Sequence, residues 1–321
     1  MNIDMKLLEE FETTINTREP EKGGVPINIL GFGEISLVFE IIDDTYPNLA
    51  YKRLPIFDDE EQVLRHINAY KEYNRLLCED IGFNIPEFDA VWLPKTDGKG
   101  ITLYCIQEKL PPNSIGNRLI HNVSNDQTKQ LISIIMKEMK KVWSFNLKNE
   151  EISIGLDGQI SNWSLMADNL DEPDITAASK LLYIDSSTPL YRIKEDDAME
   201  PELFLKSAPG FLRGALRGMA KEVMDRYHDW RLVTTDLIGN FYKEQRPDLI
   251  PIIIDSMNEF FKTEAAEFNI EPFTMNEIKS YYKRDKFIWK LFQGFRKFDR
   301  FIKTKIQRKN YDFYLPGKIK R

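Results

Sequence analysis

Over residues 26–55 apolar and polar positions alternate in short runs, and from residue 59 the apolar repeat lengthens to three or four residues. The first pattern predicts strands and the second a helix, because strand side chains change face at every residue whereas helix side chains return to one face about every 3.6. Three strands are expected: an apolar run into Gly31, a β-rich run from Ile35 to Ile42, and Leu49 to Leu54. A turn through Asp43-Asp44-Thr45-Tyr46-Pro47-Asn48 separates the last two. Asp58 followed by Glu61 reads as an N-cap and capping box for a helix over 59–79, whose apolar face is Val63, Ile67, Tyr70, Tyr73 or Asn74, and Leu77. Two more strands, 88–94 and 100–107, flank a tight turn at Asp97-Gly98.

Glu108-Lys109-Leu110-Pro111-Pro112 breaks the pattern, since two prolines fit neither a central strand nor a helix interior, and predicts a hinge over 108–112. Beyond it Ser124 and Gln127 cap a helix carrying Leu131, Ile134, Ile135, Met139, Val142 and Trp143. Further helices are expected near 211–228, 230–246 and 251–266, and short strands near 152–156 and 181–185 bracket a loop that holds Asp157 and Asn162. The expected fold class is α+β with two lobes. A β-rich lobe spans 1–107 and a larger, mostly helical lobe 113–278, with a basic amphipathic helix and tail over 279–321.

Composition narrows the classes. A chain of 321 residues, 42% hydrophobic and 30% charged, has enough apolar mass for two cores. No run approaches the roughly 20 apolar residues that span a bilayer, no basic start is joined to a long apolar run, and the two cysteines, Cys78 and Cys105, argue against a disulfide framework. A cytoplasmic protein is the expectation. The net charge of −7 is unevenly spread: from Lys279 onward 15 Lys/Arg face three acids, which leaves −19 for residues 1–278. The tail repeats Ile288, Phe292, Phe295, Phe298 or Asp299, Ile302 and Ile306 at helical spacing among lysines and arginines. Such a helix can meet nucleic acid or an anionic membrane, but packing its aromatic face on the helical lobe is the expected role.

The candidate chemistry lies in four short segments in fixed order. Gly31 and Gly33, flanking Phe32 and followed by Ser36, form a turn whose missing Cβ atoms let backbone approach an anion, or else an ordinary hairpin. Lys52 interrupts an apolar and aromatic strand, where an inward cation needs an anionic partner; Glu72 on the following helix could supply it, with Glu60 and Glu61 as fallbacks, or else Lys52 points to solvent. Asp157 and Asn162, four residues between them, can aim a carboxylate at a hydroxyl and an amide oxygen at a cation, or else mark a surface turn. Asp185 ends the apolar run Leu181-Leu182-Tyr183-Ile184, which puts an oxygen ligand at the rim of a cleft, or else caps the next turn. His66, His121 and His228 show no metal-ligand spacing.

In order and spacing, over roughly residues 25–250, these segments resemble the protein-kinase-like superfamily, closest in type to the aminoglycoside and choline phosphotransferase-like small-molecule kinases. The resemblance implies a bilobal fold with ATP in the cleft. It assigns Gly31, Phe32, Gly33 and Ser36 to the glycine-rich loop, Lys52 to the phosphates and Glu72 to that lysine. Glu108, Lys109 and Leu110 would hold adenine, Asp157 would be the catalytic base, and Asn162 and Asp185 would hold Mg2+. There are departures: Ser36 replaces a third glycine, Gly155-Leu156 stand where a histidine usually precedes the base, Ser186-Ser187 replace Phe-Gly, and 23 residues separate Asn162 from Asp185, reading as an insertion or elongated hairpin. No activation segment is recognisable. The implied activity is ATP- and Mg2+-dependent phosphoryl transfer to a hydroxyl of a small molecule. A catalytically silent nucleotide-binding or scaffold protein is the alternative, and a nucleic-acid or anionic-surface binder acting through the tail is a third.

Overall fold

A computed structural model describes residues 1, 3–33, 35–43, 48–96 and 98–317. Residues 44–47 and Asp97, in two of the expected turns, and Glu34, in the glycine segment, lie outside the described residues. The chain opens with α1 (Met5–Thr14), whose N-cap Asp4 accepts from the amides of Lys6 and Leu7. A five-stranded sheet follows, in the order β1-β2-β3-β5-β4 with every pair antiparallel: β1 (Ile27–Phe32), β2 (Leu37–Ile41), β3 (Leu49–Phe57), β4 (Phe88–Pro94) and β5 (Ile101–Glu108). Between β3 and β4 runs α2 (Glu60–Arg75), which widens into a π-turn over Leu76–Ile81 and stops at Gly82, where φ is 78°. The N-cap of α2 is Asp59, one residue past the expected Asp58: its carboxylate accepts from the Gln62 amide at 2.9 Å, while Gln62 Oε1 accepts from the Asp58 amide.

After the hinge come a short α3 (Gly116–Leu119) and the long α4 (Asn125–Asn146), whose Ser124–Gln127 capping box is formed. β6 (Ile152–Ile154) leads into the loop with Asp157. β7 (Trp163–Met166) and β8 (Lys180–Tyr183) pair as the elongated hairpin between Asn162 and Asp185. β9 (Tyr191–Ile193) and β10 (Asp196–Asp197) complete a small sheet with β6. The rest is helical: α5 (Gly210–His228), α6 (Trp230–Lys243), α7 (Ile250–Thr263) and α8 (Met275–Phe301). The architecture is α+β, a five-stranded antiparallel sheet joined to a larger, mostly helical part.

Three apolar clusters hold it together. The largest gathers Ile135, Met139, Trp163, Leu237, Phe241 and Met257 between the helices and also takes Tyr73 and Leu77 from α2, so that helix belongs to both lobes. The sheet is covered on both sides. Leu54, Ile56 and Leu103 face Val63 and Ile67 of α2, whereas Phe39, Tyr51 and Tyr104 face Leu8 and Phe11 of α1. This alternation along β3 sends consecutive residues Lys52 and Arg53 to opposite sides. Lys52 meets the cleft, and Arg53 meets α1.

The C-terminal segment departs from expectation. α8 buries Ile278 and Tyr281 against the helical lobe, but further along its buried positions are Gln293, Arg296 and Asp299. Phe287, Ile288, Leu291, Phe298 and Phe301 are exposed instead. The expected aromatic contact with the helical lobe is therefore not what anchors this part of the helix. The chain beyond it turns back and inserts Tyr311, Phe313 and Leu315 into the α2-facing core of the sheet. Thr17 Oγ1 donates to Tyr311 O, Arg53 Nη1 to Asp312 O, and Arg296 Nη2 to Tyr314 O.

Candidate active site

Lys52 Nζ, carried by the cleft face of β3, lies 2.7 Å from Asp185 Oδ1, just past the end of β8. Burial works against the lysine charge, but the Asp185 carboxylate more than offsets it and holds the ammonium pKa above its ordinary value. Both side chains stay partly exposed, at 21% and 27%, so the pair borders open space. Asn162 Nδ2 donates to Asp157 O at 3.1 Å and Asn162 O accepts from the Ile184 amide at 2.9 Å. These two bonds tie the ends of the 157–162 loop to the strand that presents Asp185. Lys52, Asp157, Asn162 and Asp185 thus occupy one place, although 133 residues separate the first from the last.

The Asp157 carboxyl is pushed up to about 7, first by burial, then by the nearby carboxylates of Asp236 and Asp185; the Gln159 amide, donating to Oδ1 at 3.1 Å, opposes the shift. A carboxyl poised near neutrality suits proton transfer, where an acid and its conjugate base must both be accessible. Its loop is held by tyrosines. Tyr73 donates to Gly155 O at 2.9 Å and Tyr183 to Asp157 O at 3.3 Å, both buried.

Glu72 is not the partner of Lys52. It sits on the outer face of α2 and forms a two-bond pair with Arg75, three residues on, at 2.9 and 3.0 Å. The inward face carries His66, Tyr70 and Tyr73, at i, i+4 and i+7. His66 Nε2 lies 3.2 Å from Ser187 O, and burial pulls its pKa down to about 4, so a neutral ring packs behind Ser186-Ser187. The helix position that would hold a carboxylate to the lysine is filled by aromatic side chains.

The glycine segment is a tight hairpin: the Gly33 amide donates to Ser36 O at 3.1 Å, and the β1–β2 register shifts between Ile29 and Gly31. At Gly31, in β1, a Cβ would meet nothing within 4 Å, whereas at Gly33, in the turn itself, it would lie 2.9 Å from Ser36 Oγ. Phe32 is 42% exposed, and the Tyr314 ring of the returning chain stands 5.7 Å from its ring. At the hinge, the Glu108 amide donates to Glu87 O and the Lys109 amide to Asn48 O at 2.7 Å. Of the three hinge amides only that of Leu110 lacks a backbone acceptor among the described residues.

Several groups at the site had no signal in the sequence. Asp236 of α6 accepts from Gln159 Nε2 at 2.9 Å and from the Tyr281 hydroxyl of α8 at 2.6 Å. Arg226 of α5 donates to Tyr281 Oη at 3.0 Å, and Lys243 Nζ lies 3.2 Å from Gln159 Oε1. Burial opposes the charge of Arg226, and the carboxylates of Asp236 and Asp157 hold it. His228 also comes from afar. At Gly155, two residues before Asp157, a Cβ would lie 3.0 Å from His228 Nε2 and 3.0 Å from Tyr227 O, so the absent side chain makes room for an imidazole supplied by the end of α5. Gly155→Ala is accordingly expected to cost on the order of 1–3 kcal/mol, because Tyr227 O is backbone and cannot swing aside. Thermal unfolding checks this, and a variant melting like the parent would show that the His228 contact yields freely.

A family model described as a family of unknown function (DUF6206) matches residues 10–300. The chain belongs to the DUF6206 family. The match runs from within α1 into α8 of this DUF6206 protein. No curated protein matches it. Among solved structures, the GDP and kanamycin complex of APH(2")-IIia, an aminoglycoside phosphotransferase, is similar at 12% identity and a TM-score of 0.25, covering 80% of this chain and 98% of that one. A likeness that low carries no argument about chemistry, which rests on the geometry above. Among the described residues no helix is long and apolar enough to cross a membrane.

Proposed function

We propose that this protein transfers a phosphoryl group from a magnesium nucleotide to a hydroxyl of a small molecule. The observation that carries this reading is the meeting of Lys52, Asp157, Asn162 and Asp185, with Lys52 and Asp185 partly exposed. Phosphoryl transfer needs little covalent chemistry from a protein and depends on positioning and charge. The donor set suits Mg2+, which takes oxygen ligands and is commonly held by one or two protein groups plus substrate phosphates. Asp185 supplies a carboxylate. Asn162, whose Nδ2 is committed to Asp157 O, has its Oδ1 as the remaining donor. The end of β1 at Gly31, with open space beside its backbone, suits an approaching phosphate.

In this reading Lys52 neutralises phosphate charge, and Asp185 is shared between that lysine and the cation. Bound magnesium nucleotide would supply the electrophilic phosphorus. Asp157, ionised, orients the acceptor hydroxyl and takes its proton on Oδ2, while Gln159 N–H holds Oδ1. Asp236, held by Tyr281 and Gln159, keeps Asp157 from ionising too readily.

The second reading, a nucleotide-binding protein without turnover, is favoured by one observation: Asp185 is already committed to Lys52, and Glu72 is not there to relieve it. Product formation from ATP and Mg2+ against a panel of hydroxyl-bearing metabolites, with Asp157→Ala and Asp185→Ala as controls, decides between them. Turnover lost in both variants supports transfer. Nucleotide binding with a background that neither variant changes supports the silent reading, and no binding at all removes both.

A further inference from the structure

The half of α8 beyond Tyr281 is inside out. Gln293, Arg296 and Asp299 are buried, at 7%, 1% and 5% exposure, while Phe287, Leu291 and Phe301 stand 65%, 45% and 55% exposed. The inward face holds the returning chain through Arg296, whose Nη2 donates to Tyr314 O at 3.0 Å, and Asp299 pairs along the helix with Lys303 at 2.8 Å. The apolar residues therefore do not complete a core in this chain.

At about 100° per residue, Phe287, Leu291 and Phe301 fall within an arc of about 80° and span about 21 Å along the axis. Gly294 lies in the same arc, and a Cβ there would meet nothing within 4 Å. Beside this stripe Lys283, Arg284, Lys290 and Lys297 are all exposed, and Lys305 follows in the next turn. Among the described residues none of these five cations forms a salt bridge, although acidic residues are plentiful elsewhere in the chain.

We propose that this face of α8 docks on an anionic lipid bilayer, lying in the plane of the interface with its rings among the acyl chains and its lysines among the headgroups. Exposed rings and a leucine flanked by unpaired cations fit that partner on both counts, since each apolar group gains from hydrocarbon and each cation from negative surface potential. Nucleic acid would reward the lysines and, where single-stranded, could stack bases on the rings, but it offers no hydrocarbon for Leu291. The tether from Arg296 to Tyr314 O orients the face before binding, so the helix need not fold at the surface.

The test is flotation of the full chain with phosphatidylcholine vesicles, pure or containing about 30 mol % phosphatidylserine, at low and high salt. The expected result is binding to the anionic vesicles alone, weakened by salt. Phe287→Ser combined with Leu291→Ser is expected to reduce it at least about tenfold, and Lys290→Gln combined with Lys297→Gln comparably at low salt. Both pairs are exposed, so thermal unfolding should match the parent and exclude a folding defect. Failure to float with anionic vesicles overturns the proposal, as does flotation untouched by the serine pair. RNA retardation without vesicle binding would assign the face to nucleic acid, and a dimer abolished by Phe287→Ser would assign it to a second copy; either overturns the bilayer.

Discussion

Asp157→Asn is expected to lower phosphoryl transfer by about 10²–10⁴-fold and, at the same time, to make the protein harder to unfold at alkaline pH. The first effect follows from the proposed role: an amide cannot take the acceptor's proton, although its oxygen can still accept from the Gln159 amide. The second does not depend on any substrate. In the folded chain the carboxyl ionises near 7, against an ordinary value of 3.8, because it is buried beside Asp236 and Asp185. Below about pH 4 both folded and unfolded chains are protonated there and nothing is lost. Between pH 4 and 7 the unfolded chain ionises while the folded one holds its proton, so stability falls as pH rises, and above 7 the full penalty is in place. At about 1.4 kcal/mol per unit the penalty is on the order of 4 kcal/mol, owed first to burial and then to the neighbouring carboxylates. The melting temperature of the Asn variant should exceed the parent's by several degrees at pH 8 and by little at pH 4.5. A difference that does not grow across pH 7, or an Asn variant that melts lower at pH 8, would show that Asp157 is not held protonated by its surroundings. For transfer itself the wild type should gain activity as pH rises through about 7, a step that the variant lacks.

What made the site legible was order along the chain, not any one residue. Lys52 stood out because a cation inside an apolar strand demands an anion, and it has one, Asp185, rather than the Glu72 that the kinase resemblance supplied. Sequence distance misleads here. Glu72 has Arg75 three residues away, within reach on the same helix face, and a local pair forms more cheaply than one across the cleft. The strands and helices carried clear periods, and their boundaries moved by only a few residues. His228, Asp236, Arg226 and Tyr281 gave no signal because nothing local distinguishes a helix residue whose partners lie many turns of chain away. The tail misled for a physical reason as well: an amphipathic repeat reveals that two faces differ, but not which of them points inward. In α8 the inward face is the polar one.

Removing the carboxylate of Glu12 is expected to cost about 3–5 kcal/mol, the largest loss of stability that a single side chain of this fold should cause. Glu12 of α1 accepts from Arg53 Nε and Nη2 at 2.7 and 2.6 Å, from Thr102 Oγ1 at 2.9 Å and from the Tyr104 hydroxyl. Both charged side chains are almost sealed, at 5% for Arg53 and 6% for Glu12. Burial alone would raise the Glu12 pKa; Arg53 and the hydrogen bonds from Tyr104 and Thr102 hold it below its ordinary value. Glu12→Ala leaves Arg53 charged and dry on the α1 side of β3, and Arg53 Nη1 also holds Asp312 O at 2.8 Å, so both chain ends loosen from the sheet together. Denaturant unfolding should show the loss, and limited proteolysis should begin to cut within the first 25 residues and the last ten. Because the cost is a stranded charge, Glu12→Leu combined with Arg53→Met should recover most of it, as apolar pairs of similar volume often replace buried ion pairs without penalty. The depressed acid also dictates a pH dependence. Its contribution is complete above the unfolded carboxyl value of about 4.5 and disappears as pH falls through the lower folded value, so the double variant should overtake the parent in acid. A double variant no more stable than Glu12→Ala would show that shape and hydrogen bonding, not charge, hold α1 to the sheet. Since Arg53 follows Lys52 on β3, strand alternation sets one cation to bind the chain ends and the other to face Asp185, and loosening the first should disturb the second.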